Sequence, residues 1–155
     1  MTEPKPSQDV VTGDAVATHG GATAADKITM MSNAAVAIAS TFTGEDFATK
    51  VRVFDAVSNA LPISEHVGET INLRNWVGQV VEVADEDGEL QSVVRVILVD
   101  ADGTAYAALS DGLYRALVNI AGVIGLPDTW SNPIAVKVVE QRSRKGFRFF
   151  TLKIA

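Results

Sequence analysis

At 155 residues the chain has the length of one domain with a tail, enough to bury a sizeable core. The absence of cysteine excludes a disulfide framework and thiolate chemistry and fits a reducing compartment, and His19 and His66 stand in unrelated contexts without metal-ligand spacing, so no metal or cofactor is expected. The formal net charge of −6 argues against a polyanionic partner, but residues 131–155 carry six Lys or Arg against one acid, a net +5, which leaves −11 on the rest.

Residues 1–25 are rich in Thr, Ala, Gly, Ser and Pro, with no apolar periodicity, and read as a disordered tail. They lack the basic start and apolar run of a secretory leader. Lys27 to Phe42 is more apolar and Ala-rich, which suits a short helix, yet it is too short and too polar to span a bilayer. Residues 1–44 are therefore expected to be a disordered or partly helical N-terminal tail, and residues 45–155 the folded domain.

From Glu45 to Ala60 two periods compete. Phe47, Val51, Phe54, Val57 and Leu61 form a helical stripe, while Lys50 to Phe54 alternates as a strand would; the longer pattern favours the helix. Pro62 ends it, and a loop follows to Glu69. From Thr70 the chain alternates. Ile71, Leu73, Val77, Val81 and Val83 share one parity of a long strand, and Arg74 and Trp76 share the other, with Gly78 as the expected bend. Asp85-Glu86-Asp87-Gly88 is a tight hairpin turn, Leu90–Val99 the next strand, Asp100-Ala101-Asp102-Gly103 a second turn, and Thr104–Leu109 a third strand. The period then switches: Leu113, Leu117, Ile120, Ala121 and Ile124 lie on one helix face, with Ser110 as cap and Gly125 and Pro127 as stop. Two further strands, Pro133–Val139 and Phe147–Ile154, flank the polar turn from Gln141 to Gly146.

Three strands, a helix and two strands is the order of an OB-fold, a five-stranded Greek-key barrel whose exposed face and loops bind oligonucleotides or oligosaccharides. The expected class is thus mainly β with one or two helices, a β-β-β-α-β-β barrel with an N-terminal extension. The run Val94 to Asp100, with Asp102-Gly103, Tyr106, Ser110-Asp111-Gly112, Gly125-Leu126-Pro127, Trp130 and the closing hairpin, resembles the single-stranded DNA-binding proteins of bacteriophages and mobile elements. The resemblance covers Phe47 to the C-terminus and lies in the order of these pieces. It implies a non-enzymatic protein that protects exposed single-stranded DNA in replication or recombination, in the host bacterial cytoplasm. It also leaves room for self-association and for replication or recombination proteins as partners. Many bacterial single-strand-binding proteins end in an acidic recruiting tail; this chain ends on Lys153-Ile154-Ala155, so recruitment is expected to use another surface.

Single-strand binding needs cations for the backbone and ring faces for unstacked bases. The closing hairpin offers Lys137, Arg142, Arg144, Lys145, Arg148 and Lys153, with Phe147 and Phe149 on the parity opposite Phe150, Leu152 and Ile154, which are expected to close the core. The competing reading covers Phe147 and Phe149 with the helix or the N-terminal segment. Four further candidates carry an alternative each. Arg74 and Trp76 form an outward pair unless the tryptophan is core; Tyr106 stacks on a base or closes the barrel; Arg95 emerges on the binding face or pairs with a carboxylate such as Glu82. Trp130 is expected to plug the barrel end. The acidic turns are explained by Asp-Gly turn chemistry rather than by metal, and no phosphate-cradling loop or nucleophile elbow is present. The competing function is a small β-barrel acting as a protein-interaction or virion structural module.

Overall fold

The computed structural model describes residues 23–33 and 37–155, so most of the expected tail lies outside the described residues. A first helix, α1 (Ala24–Asn33), opens on a reciprocal cap in which the Asp26 N–H donates to Thr23 Oγ1 (3.1 Å) and the Thr23 N–H to Asp26 Oδ2 (3.0 Å). Ile38 and Phe42 do not continue a helix. Ile38–Ser40 is a short strand, β1, and both residues pack beneath the second helix.

That helix, α2 (Phe47–Asn59), confirms the longer of the two competing periods but not the expected stripe. Its packed face is Val53, Ala56 and Val57, with Ala60 just beyond its end, while Phe47, Val51 and Phe54 face solvent. The chain then forms a two-residue strand, β2 (Leu61–Pro62), tolerated because a proline at a sheet edge forfeits no ladder donor. A 3₁₀ turn follows whose Ile63 is fully buried.

The long strand β3 (Thr70–Ala84) organises the sheet. Its first four residues pair with β6 (Ile134–Arg142), its later ones with β4 (Leu90–Asp100), and β1 adds to it at Val77–Gln79. With β5 (Ala105–Leu109) and β7 (Arg148–Ile154), the order across the sheet is β2-β5-β4-β3-β6-β7. The bend lies at a register shift between Leu73 and Asn75, and Gly78 sits in unbroken pairing with Val96. The extra residue flips the parity. Leu73 and Trp76 therefore both face the barrel interior, and Val77 turns to the opposite side.

The two faces of the sheet carry separate cores. Ile63, Ile71, Leu73, Val96, Leu98, Val136 and Val138 fill the barrel with Leu113, Leu117 and Ile120 of α3 (Asp111–Val123). On the other face, Val77, Ile97, Val99 and Ala105 are covered by α2. Helix α3 starts where the sequence placed its cap, the Leu113 N–H donating to Ser110 Oγ (3.1 Å). It lies against β7, so the barrel is a curled half-barrel whose seam between β5 and β7 is filled by a helix rather than a ladder. Gly112 makes that contact: a Cβ there would lie 2.1 Å from the Phe150 carbonyl oxygen. With three strands, a helix and two strands in that order, the molecule is an OB-fold-like barrel.

Candidate nucleic-acid interface

The β6–β7 hairpin is the most cationic part of the described surface. Its turn is held by Ser143 N–H to Phe147 O (2.8 Å), Gly146 N–H to Ser143 O (2.9 Å) and Phe147 N–H to Ser143 Oγ (3.2 Å). Gly146 adopts φ +86°, which a side chain would strain. Arg144 and Lys145 thus occupy the two central positions of a well-bonded turn, exposed and aimed away from the barrel.

Register divides the hairpin between two faces. Val136 and Val138 are buried in the barrel, with Phe150 and Leu152 packed beside them. Ile154, expected to join them, is exposed at the end of the edge strand, although its partner Val136 is buried. The opposite face carries Lys137, Gln141, Phe149 and Lys153. Phe147, at the turn, keeps 70% of its surface in water and Phe149 37%. The start of α3 accounts for the difference: a Cβ on Gly112 would lie 3.1 Å from the Phe149 ring, so the helix shields one edge of Phe149 and none of Phe147.

Two rungs of this hairpin set like charges directly opposite each other, Lys137 with Lys153 and Arg142 with Arg148. Such pairs oppose hairpin formation by a few tenths of a kcal/mol to ~1 kcal/mol each. Among the described residues one carboxylate relieves them, Glu140, which lies 3.5 Å from Arg148 across an exposed gap.

The four remaining candidates lie elsewhere. Trp76 is half-buried against the barrel core, its ring 6.0 Å from that of Trp130, so its expected outward parity is corrected by the bulge. Trp130 is buried, its indole N–H donating to the Gly125 carbonyl (3.0 Å). Arg95 is half-buried and held by a carbonyl and an amide rather than by a carboxylate. It donates to the Val57 carbonyl in the last turn of α2 (2.9 Å) and to Gln79 Oε1 (3.3 Å), where the negative end of the helix dipole favours a cation. Tyr106 packs edge-on against His66 (5.0 Å), and burial, then the nearby Asp100, Asp102 and Glu69, raises its pKa above the ordinary tyrosine value. Arg74 is half-buried and donates to the Pro127 carbonyl (2.9 Å).

The acidic turns are ordered by their own carboxylates. Asp85 Oδ1 accepts from the Asp87 and Glu89 N–H groups (both 2.9 Å). Asp100 accepts from Asn72 (2.8 Å) and Asp102 (2.9 Å), and a bond from the Thr104 N–H holds the Asp102 pKa below the usual carboxylate value. Because β6 runs antiparallel to β3 and pairs only with its start, the basic hairpin projects past Thr70 and the acidic β3–β4 turn past Ala84. The two charged tips therefore point in opposite directions along the sheet. Sequence reading did not single out Arg52, whose guanidinium lies 4.8 Å from the centre of the Phe42 ring. Its only sequence signal was an arginine in an apolar alternation, which α2 reinterprets as a helix position.

A small OB-type barrel with a basic hairpin that exposes aromatic rings belongs to an architectural class suited to binding extended polymers such as nucleic acid strands. The family model described as phage single-stranded DNA-binding protein matches residues 31–155, and the chain belongs to that family. Comparison with curated proteins gave no match, and neither did comparison with solved structures. Single-stranded DNA binding is thus its family-level activity. Among the described residues, no helix is long and apolar enough to cross a membrane.

Proposed function

We propose that the protein coats exposed single-stranded DNA during replication or recombination of a phage or mobile element, in the host cytoplasm and with little sequence preference. The strand lies along the β6–β7 hairpin. Phe147 and Phe149 stack on bases, and Lys137, Arg142, Arg144, Lys145, Arg148 and Lys153 contact phosphates. The strand-binding unit is residues 45–155, with β1 and Phe42 packed on it. In this reading Trp76, Arg95 and Tyr106 support the fold rather than touch the strand.

The observation that carries the proposal is the pair of like-charge rungs. A hairpin built only for stability would not oppose lysine to lysine and arginine to arginine; the lysine rung shares the face of Phe149, where a bound polyanion would relieve it, and the arginine rung lies on the other face near the tip. Mixing carboxylates into the hairpin therefore separates stability from function. Lys153→Glu converts one rung to an attractive pair and is expected to raise the melting temperature at low salt while weakening oligo(dT) binding. The assay is fluorescence anisotropy of an end-labelled oligonucleotide, because both tryptophans sit in the barrel core and report on folding. Unchanged affinity in Lys153→Glu would remove that rung from the interface.

A further inference from the structure

A second feature, with two arginines balanced by two aspartates, lies near the hairpin. Between α2 and the β4–β5 turn is an open cleft of about 580 Å³, lined by Phe42, Arg52, Asn59, Arg74, Asn75 and Thr104 together with the carboxylates of Asp55 and Asp100. Its polar groups point to a ligand. The Arg52 guanidinium is backed by the Phe42 ring, which leaves its outer face and its N–H groups open. Asn75 accepts from Thr41 through Oδ1 (2.9 Å), so its amide N–H groups remain for another acceptor. Asp100 accepts hydrogen bonds from backbone N–H groups through both oxygens, which draws its charge toward the turn.

Register connects this cleft to the hairpin. Asn72 accepts from the Ala101 N–H (2.8 Å) on its β4 side and faces Ala135 of β6 on the other, two residues from Lys137. Arg74 and Lys137 are therefore roughly 14 Å apart along and across the sheet by standard strand spacing. Both features lie toward the Thr70 end of β3, opposite the acidic β3–β4 turn, although the β4–β5 turn with Asp100 forms one wall of the cleft.

Resting on the reading of the hairpin as the strand site, we infer that this cleft is a second subsite for the same single strand. It takes a phosphate on Arg52 and Arg74 and a base on the Arg52 guanidinium plane, with Phe42 and Asn75 as supports. The test measures affinity and salt slope for oligo(dT) from about 4 to about 16 nucleotides, the range a single barrel covers. Arg52→Ala is expected to lower affinity by a larger factor for long strands than for short ones and to reduce the salt slope by about 0.7. Arg52→Lys should restore the slope without restoring full affinity. Arg115→Ala, which removes another exposed arginine, paired with Asp111 on α3, serves as the charge control and should bind as wild type. If Arg52→Ala has the wild-type length dependence and slope, the cleft is not part of the strand path. Arg52-dependent binding of free dTMP without any effect on the strand would also overturn the inference. Arg144→Glu separates the two readings, since it should weaken all lengths; failure there with a positive Arg52 result refutes the hairpin site and leaves the cleft.

Discussion

Phe147 and Phe149 differ in how much ring they offer, and the difference ranks their substitutions. Base stacking on an aromatic side chain contributes ~1–3 kcal/mol, and Phe147 keeps more of its surface in water than Phe149, whose ring meets the start of α3 at Gly112. Phe147→Ala is therefore expected to weaken oligo(dT) binding by roughly ten-fold or more, and Phe149→Ala by less, with melting temperature unchanged in the first and lowered in the second. Equal losses would mean that α3 moves aside on binding. Tyr106 makes a prediction about pH. Its raised pKa means the folded state favours the neutral phenol, so its contribution to stability is complete below the ordinary value of 10.0 and is lost as pH rises through the higher folded value. Tyr106→Phe should therefore flatten the alkaline side of the melting-temperature profile; an unchanged profile would show that burial of the phenol is not what couples stability to pH.

At the scale of elements, the seam between β5 and β7 tests how the barrel closes. Gly112 and Gly122 lie in one helix and look alike in sequence. A Cβ at Gly112 would strike a backbone carbonyl that cannot swing away, whereas at Gly122 it would meet nothing within 4 Å. Gly112→Ala should thus cost ~1–3 kcal/mol or more through overpacking, and Gly122→Ala should stabilise by up to ~1 kcal/mol through helix propensity, both read from denaturant unfolding. The element order was legible because the chain states it locally: period two up to Leu109, period 3.6 from Leu113 to Ile124, Asp-Gly turns between strands. The bulge after Leu73 was not, since no glycine or proline marks it. Missing it reversed the parity of everything beyond, which is why Trp76 seemed to face outward. The packed face of α2 was misjudged for a related reason: Phe47 and Phe54 are the largest apolar residues on it, yet the close approach to the sheet at Ala105 and Val99 admits the smaller Ala56 and Val53. The basic hairpin could be read in full because its charge, rings and turn lie within one stretch of chain. The cleft at Arg52 could not, because it joins residues from α2, β3 and the β4–β5 turn.

For the whole molecule, the decisive property is where charge lies rather than its sum. A protein of net −6 repels DNA at a distance, but the acidic β3–β4 turn and the basic hairpin point in opposite directions along β3, so on the proposed reading a strand would be drawn to the hairpin tip, past the Asp100–Asp102 turn at the same end. Family membership sets the activity as single-stranded DNA binding, and the hairpin is the physical means proposed for it. The measurement that bears most directly on this is the salt dependence of oligo(dT) affinity for wild type and for Arg144→Glu. The hairpin account predicts a steep fall of affinity with salt in wild type, and in the variant both weaker binding and a shallower slope at unchanged melting temperature. Wild-type affinity and slope in Arg144→Glu would contradict it.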